Sequence, residues 1–214
     1  HYMAQAMIVL LVLHLMQVMI DGAYKAPREL NFWFGIALLG VTLALSLTGY
    51  LLPWDQKGFW ATAVATNLIA EVPIIGPMLQ KIVVGGGEYG HKTITRFFAI
   101  HAGILPGALI ALVVGHIYLV RKHGIHVKEP RPKRDSYFWP DQILKDGVAC
   151  LAVLLAVVFL TLYFDGAPLG PPADPSNEFP ARPEWYFLFL FQLLTYVPAF
   201  WGAVIIALFF GLLI

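Results

Sequence analysis

The sequence predicts an all-α protein, a polytopic membrane helical bundle. Of its 214 residues 59% are hydrophobic and only 13% are charged, a combination that soluble domains rarely show. Apolar runs long enough to cross a hydrocarbon layer of about 30 Å recur along the chain, and charged residues are confined to the stretches between them. We therefore expect helices that span a membrane.

Five spans are predicted, the first and the last incomplete. Asp21 and Gly22 close the first span, and the second stops before Pro53, which has no N–H for a helical hydrogen bond. The predicted spans are 1–20, 31–52, 95–120, 143–164 and a last one that begins after Pro198. Because the chain starts without methionine and stops inside an apolar run, we expect it to be truncated at both ends.

Two connections are too long or too structured to be bare linkers. The 54–93 connection is predicted to contain short helices at 61–69 and 77–83 and a glycine break at 85–87. A proline-rich stretch, 167–183, leads to an aromatic segment that precedes the last span. We expect two domains, residues 1–135 and 136–214.

The distribution of basic residues predicts the orientation. Lysine and arginine are more frequent in the loops after the first and third spans than in the opposite loops, so these loops are predicted to lie on the negative (cytoplasmic or matrix-like) side. The 54–93 and 165–185 connections then lie on the positive side. The basic residues that decide this are Lys25, Arg28, Arg121, Lys122, Lys128, Arg131, Lys133 and Arg134.

Charge and cysteine content exclude several classes. The net charge is +1, and the sequence has no stripe of basic residues interleaved with aromatic residues. We therefore expect no nucleic-acid partner. Cys150 is the only cysteine, which excludes an intrachain disulfide and covalent attachment of haem through a CxxCH motif. A haem on this chain would be held by histidines.

Two histidines of the third span provide the strongest functional signal. His101 and His116 are fifteen residues apart, which in a regular α-helix places them about 22 Å apart along the axis and about 60° apart around it. An imidazole in hydrocarbon is a functional candidate by default, although hydrogen bonds to neighbouring helices are the alternative explanation. His14, in the first span, is predicted to lie at the depth of His116. His1 is about 140° from the face of His14, so a partner for His101 is expected just before residue 1.

Two glycines of the second span fit the same interpretation. Gly35 and Gly49 are fourteen residues apart, on nearly one face, at the two predicted histidine depths. They fit close approach of a flat macrocycle, and equally the ordinary packing of small residues between membrane helices.

Four stretches together resemble the cytochrome b subunit of quinol-oxidising cytochrome bc complexes and of their photosynthetic counterparts. They are Gly49-Tyr50-Leu51-Leu52-Pro53-Trp54-Asp55-Gln56 with Phe59-Trp60, the 68–76 segment, Thr95-Arg96-Phe97-Phe98, and Pro183-Glu184-Trp185-Tyr186. The histidine spacing, Asp55 and the 25–30 loop look more like the photosynthetic branch. In the photosynthetic branch these helices are split between two chains, whereas helices that resemble both halves occur here in one chain.

The resemblance implies two b haems. His101 resembles a ligand of the low-potential haem b near the positive side, and His14 and His116 resemble the ligand pair of the high-potential haem b near the negative side. Arg96 resembles the arginine beside a haem propionate; a helix-start charge that faces water is the alternative.

The resemblance also implies two quinone sites. Glu184 is the expected proton acceptor for quinol, because a carboxylate hemmed by aromatic rings should have a raised pKa; its alternative role is to stabilise a helix N-terminus. The other residues expected at this site are Tyr50, Pro53, Trp54, Pro183, Trp185 and Tyr186. Lys145 and Asp146 resemble the pair at the quinone-reduction site. Arg121 stands where the respiratory branch often has histidine, which leaves Asp146, His123 and His126 as candidates for proton delivery there.

The implied function is quinol oxidation by an integral complex of the bacterial cytoplasmic membrane or an equivalent energy-transducing membrane. One electron would pass to a Rieske-type iron–sulfur protein and on to a c-type cytochrome or similar acceptor. The other would cross both haems to a negative-side quinone, coupled to proton translocation. A dimeric complex and contact with membrane lipid are also implied.

Two other functions remain as alternatives. A dihaem membrane anchor of a dehydrogenase would exchange electrons with quinone at one site and would need no Pro-Glu-Trp-Tyr element. A transporter with proton-relaying or metal-binding histidines would show inverted repeats and broken helices, and no internal repeat is visible.

Overall fold

The computed structural model describes residues 1–126, 137–180 and 182–212. Within these ranges the regular elements are all helical. The helices are α1 (Tyr2–Asp21), α2 (Glu29–Gly49), α3 (Gln56–Ala70), α4 (Gly76–Val84), α5 (His91–Ala99), α6 (Leu105–His123), α7 (Ile143–Tyr163), α8 (Leu188–Tyr196) and α9 (Ala199–Leu212). A π-helical turn, Ile100–Ile104, joins α5 to α6, and another, Phe138–Gln142, leads into α7.

Four helical stretches are long and apolar enough to cross a membrane: Tyr2–Asp21, Glu29–Gly49, His91–His123 and Phe138–Tyr163. They confirm the prediction of an integral membrane protein. Large hydrophobic side chains on these stretches are widely exposed, as expected where lipid or other subunits replace water. The predicted fifth span corresponds to α9, of which the described part is 14 residues long.

The chain divides into two compact units. One comprises His1–Lys25 with Gly124–Pro168, and the other comprises Ala26–His123 with Leu169–Ile214. The predicted domain boundary, between residues 135 and 136, lies outside the described residues and stays a prediction, as do the parts played by the basic residues at 128–134.

In the first unit α1 packs against α7. The Tyr2 hydroxyl donates a hydrogen bond to the Gly166 carbonyl at 2.9 Å, and the Tyr2 ring lies 6.0 Å from that of Phe164. These contacts fix the start of α1 to the end of α7.

In the second unit α2 packs against α6, α3 pairs with α4, and α9 touches α3. Its buried side chains concentrate around the end of α2 and the connection that follows, including Leu51, Phe59, Ala63, Val84 and Phe97. This unit carries most of the predicted site residues.

Two helix starts differ from the predictions because capping residues decide them. Helix α3 begins at Gln56 rather than residue 61, since the Asp55 side chain accepts the Gly58 N–H at 2.7 Å. Helix α5 begins at His91 rather than residue 95, where the Thr93 hydroxyl accepts the Gly90 N–H at 3.0 Å.

Candidate functional site: histidines, an acidic site and an apolar cavity

His101 lies against the end of α2. A Cβ atom added at Gly49 would stand 3.0 Å from the His101 Cε1 atom. The His101 Nδ1 atom lies 3.0 Å from the Thr48 hydroxyl, which is itself 2.8 Å from the Ala44 carbonyl. Because a carbonyl only accepts, the single hydroxyl proton of Thr48 goes to Ala44, and Thr48 accepts the Nδ1–H of His101.

His116 repeats this arrangement near the other end of α2. Its Nδ1 atom lies 3.1 Å from the Asn31 carbonyl oxygen, so the Nδ1–H donates. A Cβ atom added at Gly35 would stand 3.5 Å from the His116 Cε1 atom. In both histidines the hydrogen bond to α2 therefore sets the tautomer in which Nε2 is the nitrogen able to bind a metal.

The helix that carries both histidines is not regular. The π-helical turn at Ile100–Ile104 has hydrogen bonds that reach back five residues instead of four, which inserts one residue and removes about 100° from the rotation between His101 and His116. Their fifteen-residue spacing then gives an angular step of about −40°, the same as the fourteen-residue spacing of Gly35 and Gly49. The 60° estimate from a regular α-helix is wrong for this reason, and the turn explains how each imidazole meets a glycine.

The donor set fits a haem better than a bare metal ion. No group of three or more His, Cys, Asp or Glu residues that could hold a metal ion occurs among the described residues. One imidazole at each of two depths, each beside a glycine and each oriented through Nδ1, suits axial ligation of haem iron. The buried Asn31 Oδ1 atom, close to the His116 hydrogen bond, has no hydrogen-bond partner in the structure.

The two other predicted haem contacts, His14 and Arg96, are both exposed. His14 is exposed on α1, in the first compact unit. The Arg96 guanidinium donates to the Ile82 carbonyl and lines an open groove of about 580 Å³ that also includes Lys81. Their roles as ligand and propionate partner stay predictions.

Glu184 contacts the turn that follows α2, next to the glycine that lies against His101. Its backbone N–H donates to the hydroxyl of Tyr50, the residue after Gly49, at 3.1 Å, and its Oε1 atom lies 2.6 Å from the Lys57 Nζ atom. The Glu184 side chain is 14% exposed and that of Lys57 is 40% exposed. Glu184 is the N-cap residue of the helical turn that follows it, and its side chain makes no capping hydrogen bond there. Its charge lies at this helix start, so the alternative role, stabilisation of a helix N-terminus, stays open.

Burial and charge act on this carboxyl in opposite directions. Partial burial raises the pKa of Glu184 above its usual range. The neighbouring Lys57 ammonium, 2.6 Å away, favours the carboxylate and opposes part of this rise without reversing it. The pKa of Glu184 thus stays raised, which suits a group that must accept and then release a proton.

An apolar cavity of about 320 Å³ lies between α2 and the start of α8. Its lining residues are Gly40, Leu43, Ala44, Leu47, Tyr186, Phe187, Phe189 and Leu190. The four from α2 follow the i, i+3, i+4, i+7 pattern of one helix face, about 150° away from the face of the two histidine-contacting glycines. The Tyr186 hydroxyl is hydrogen-bonded to the Ser46 side chain.

Only Tyr186 of the predicted quinol-site residues lines this cavity. The Tyr50 hydroxyl accepts the Glu184 backbone N–H. Trp54 packs edge-on against the Phe59 ring, with 5.7 Å between the ring centres, and Trp185 is 47% exposed. The α2 face was missed from the sequence, although the helical spacing of small and apolar residues at 40–47 was a usable signal.

Asp55 links the proline-rich connection to the start of α3. One of its oxygens caps α3, and the other accepts the Gly170 N–H at 3.0 Å. An isolated antiparallel bridge pairs Asp55 with Pro172. These bonds anchor the connection that leads to Pro183 and Glu184.

The predicted pair at the other quinone site lies at the start of α7. Asp146 and Lys145 are both exposed, and the Gln142 side-chain amide donates to Asp146 Oδ1 at 2.8 Å. His123 lies at the end of α6, where its carbonyl accepts a hydrogen bond from Arg28 at 3.2 Å. Lys145 and His123 belong to different compact units, and their role at one site stays a prediction.

Sequence comparisons point to one family. The family model described as cytochrome b (N-terminal)/b6/petB matches residues 5–172. The chain is 43% identical over 126 residues to the menaquinol:cytochrome c reductase cytochrome b subunit of Geobacillus thermodenitrificans, a match that covers 58% of this chain and 56% of that protein. It is 36% identical over 201 residues to the cytochrome bc complex cytochrome b subunit of Chlorobaculum thiosulfatiphilum, covering 89% of this chain and 46% of that protein.

The fold is also found in a solved structure. A chain of a hyperthermophilic respiratory Complex III matches with a TM-score of 0.79 and 31% sequence identity, covering 98% of this chain and 59% of that one. The chain spans about half the length of the curated relatives it matches.

Proposed function

This chain belongs to the cytochrome b family, and from that premise we propose that it oxidises quinol as the cytochrome b subunit of a quinol:acceptor oxidoreductase complex. The observation that carries the proposal is the position of Glu184. The backbone N–H of Glu184 donates to Tyr50, which follows Gly49, the residue that contacts His101, and the Glu184 carboxylate is mostly buried. A proton acceptor and a candidate haem ligand therefore lie at one level of α2.

The apolar cavity beside Tyr186 supplies the binding site for the quinol ring. A cavity of about 320 Å³ lined mainly by aliphatic and aromatic side chains suits a flat ring with an apolar tail. Tyr186 and Tyr50 contribute hydroxyl groups able to orient a quinol oxygen. Pro53, Trp54, Pro183 and Trp185 are proposed to shape the rim.

Glu184 acts as the general base. When a quinol O–H bond breaks, the proton bonds to a Glu184 carboxylate oxygen, while the electron leaves to an external oxidant. Because its pKa is raised, this carboxylate accepts a proton more readily than an exposed carboxylate does. Because only the carboxylate accepts a proton, quinol oxidation should slow as pH falls through the pKa of Glu184.

Two b haems are proposed, with histidines as their ligands. His101 would bind one through Nε2, and His116 with His14 would bind the other, with Arg96 available to a propionate. Bound there, the haems supply a one-electron path from the quinol site toward the opposite side of the membrane. The chain's own contribution is to fix each imidazole through its Nδ1–H, at Thr48 and at the Asn31 carbonyl.

The remaining partners follow from the reaction. A Rieske-type iron–sulfur protein would take the first electron at the 54–93 connection and pass it to a c-type cytochrome or similar acceptor. Lys145 and Asp146 would serve a negative-side quinone, coupling the reaction to proton translocation. The complex is proposed to be dimeric and in contact with lipid.

The test is Glu184→Gln in the purified complex, with Glu178→Gln as the matched control, because Glu178 is an exposed carboxylate on the same connection. We expect the Glu184 variant to retain its b-haem spectrum and to oxidise quinol at least tenfold more slowly, the lower end of what general-base catalysis supplies. The control should behave as the parent. Full activity of Glu184→Gln would remove the proposed base.

A further inference from the structure

Lys57 occupies a position that its own helix disfavours. It is the second residue of α3, where the positive end of the helix dipole repels a cation. A lysine in this turn therefore needs a stabilising contact from elsewhere in the fold. The structure provides one, since the Lys57 Nζ atom lies 2.6 Å from Glu184 Oε1.

A second contact holds the Lys57 side chain in place. Its Nζ atom lies 5.9 Å from the centre of the Tyr50 ring, within range of a cation–π attraction. The same Tyr50 accepts the Glu184 N–H. Lys57, Tyr50 and Glu184 thus form a closed triangle, which distinguishes this ion pair from the mobile pairs of an open surface.

We infer that Lys57 is a positioning residue for quinol oxidation, which holds Glu184 in place as a carboxylate until the quinol proton arrives. The inference rests on the proposed function and deepens it. When the quinol O–H bond breaks, the proton bonds to Glu184, the electron leaves to the iron–sulfur protein, and the carboxyl becomes neutral. The ion pair then loses its charge attraction, so the protonated Glu184 side chain is no longer held by Lys57.

The described contacts bring three titratable side chains to Glu184. Lys57 reaches it from α3, Tyr50 from the turn after α2, and Tyr186 from the segment that Glu184 itself opens. Lys57 is the one cation among them. Its removal should therefore move the protonation of Glu184 to higher pH.

The experiment measures quinol oxidation against pH in the purified complex carrying Lys57→Met, Lys57→Arg or the control Lys122→Met. Lys122 is exposed at the far end of α6, so its replacement removes an equal charge from a distant place. We expect the acidic limb of kcat/KM to move up by about one pH unit in Lys57→Met, the lower end of the effect of a close opposite charge. Lys57→Arg and Lys122→Met should keep the parent profile. The b-haem spectrum reports assembly, and Lys57→Gln replaces Lys57→Met if the latter does not assemble.

The Glu184→Gln background separates the possible outcomes. If Glu184→Gln removes the acidic limb and Lys57→Met adds nothing in that background, the two residues act together as inferred. If Glu184→Gln removes the limb but Lys57→Met leaves it in place, or Lys57→Arg shifts it as far as Lys57→Met, the inference about Lys57 is wrong and the proposed base stands. If Glu184→Gln keeps the limb, the proposed base fails and the role of Lys57 fails with it.

Discussion

Replacing Thr48 by valine tests the hydrogen bond that orients His101. Valine keeps the shape of the side chain but cannot accept the His101 Nδ1–H, which lies 3.0 Å from the Thr48 hydroxyl. The control is Thr42→Val on the same helix. The Thr42 hydroxyl donates to the Leu38 carbonyl of its own helix at 2.9 Å, as the Thr48 hydroxyl donates to Ala44. Each variant therefore loses one hydrogen bond within α2, but only Thr48→Val also removes a contact with a histidine.

The expected effect is confined to one haem. Leaving a buried donor without its partner costs about 1–3 kcal/mol, and loss of the group that orients a metal-binding histidine typically weakens binding by about 10–100-fold. The Nδ1–H bond also makes the imidazole a stronger donor to ferric iron. If about 1 kcal/mol of the hydrogen-bond free energy stabilises the ferric state alone, loss of the bond raises the midpoint potential of the haem by about 40 mV for one electron.

The assay is a redox titration of the b-haem absorbance in the purified complex. The haem that His116 is proposed to bind would serve as an internal reference, because the acceptor for the His116 Nδ1–H is a backbone carbonyl that Thr48→Val does not alter. We expect one component to shift upward or lose occupancy and the other to stay. Identical titrations of Thr48→Val and Thr42→Val would refute the orientation argument.

Two further variants test other contacts. Gly49→Ala should displace the His101 ring and lower occupancy of that haem more than Gly35→Ala does, because the added carbon is 3.0 Å from the imidazole at the first site and 3.5 Å at the second; equal haem content in the two variants would contradict this. Asp55→Ala removes the cap of α3, worth about 1 kcal/mol, and the hydrogen bond from Gly170. Limited proteolysis should therefore cut the 165–183 connection faster than in the parent. An unchanged cleavage rate would mean that Asp55 is not needed to hold this connection.

Hydrophobic patterning predicted the architecture well because membrane helices follow length and polarity closely. The four long spans occur where apolar runs of sufficient length occur, and the last helix begins at Ala199, directly after Pro198, as predicted. The glycine positions were also predictable. Residues fourteen apart on a helix necessarily share a face, and Gly35 and Gly49 each lie beside a histidine of α6 or the π-helical turn.

Features that depend on distant segments were not predictable. The π-helical turn at Ile100–Ile104 contains Gly103 and is followed by Pro106, which has no N–H for a helical hydrogen bond, so the sequence does mark an irregular helix here. The need for one extra residue emerges only when α2 is placed alongside. Lys57 and Glu184 are brought together by the fold from far apart in the sequence. The capping roles of Asp55 and Thr93, in contrast, were local signals that a closer inspection of the helix starts could have used.

The most direct test of the account is the haem content of the complex. A dithionite-minus-ferricyanide spectrum, combined with pyridine haemochrome quantitation per chain, should give two b haems per chain, at least one of them reduced by quinol. His116→Ala should remove one of the two b-haem bands. The absence of b haem, or two intact bands in His116→Ala, would contradict the assignment of the histidines on which the proposed electron transfer depends.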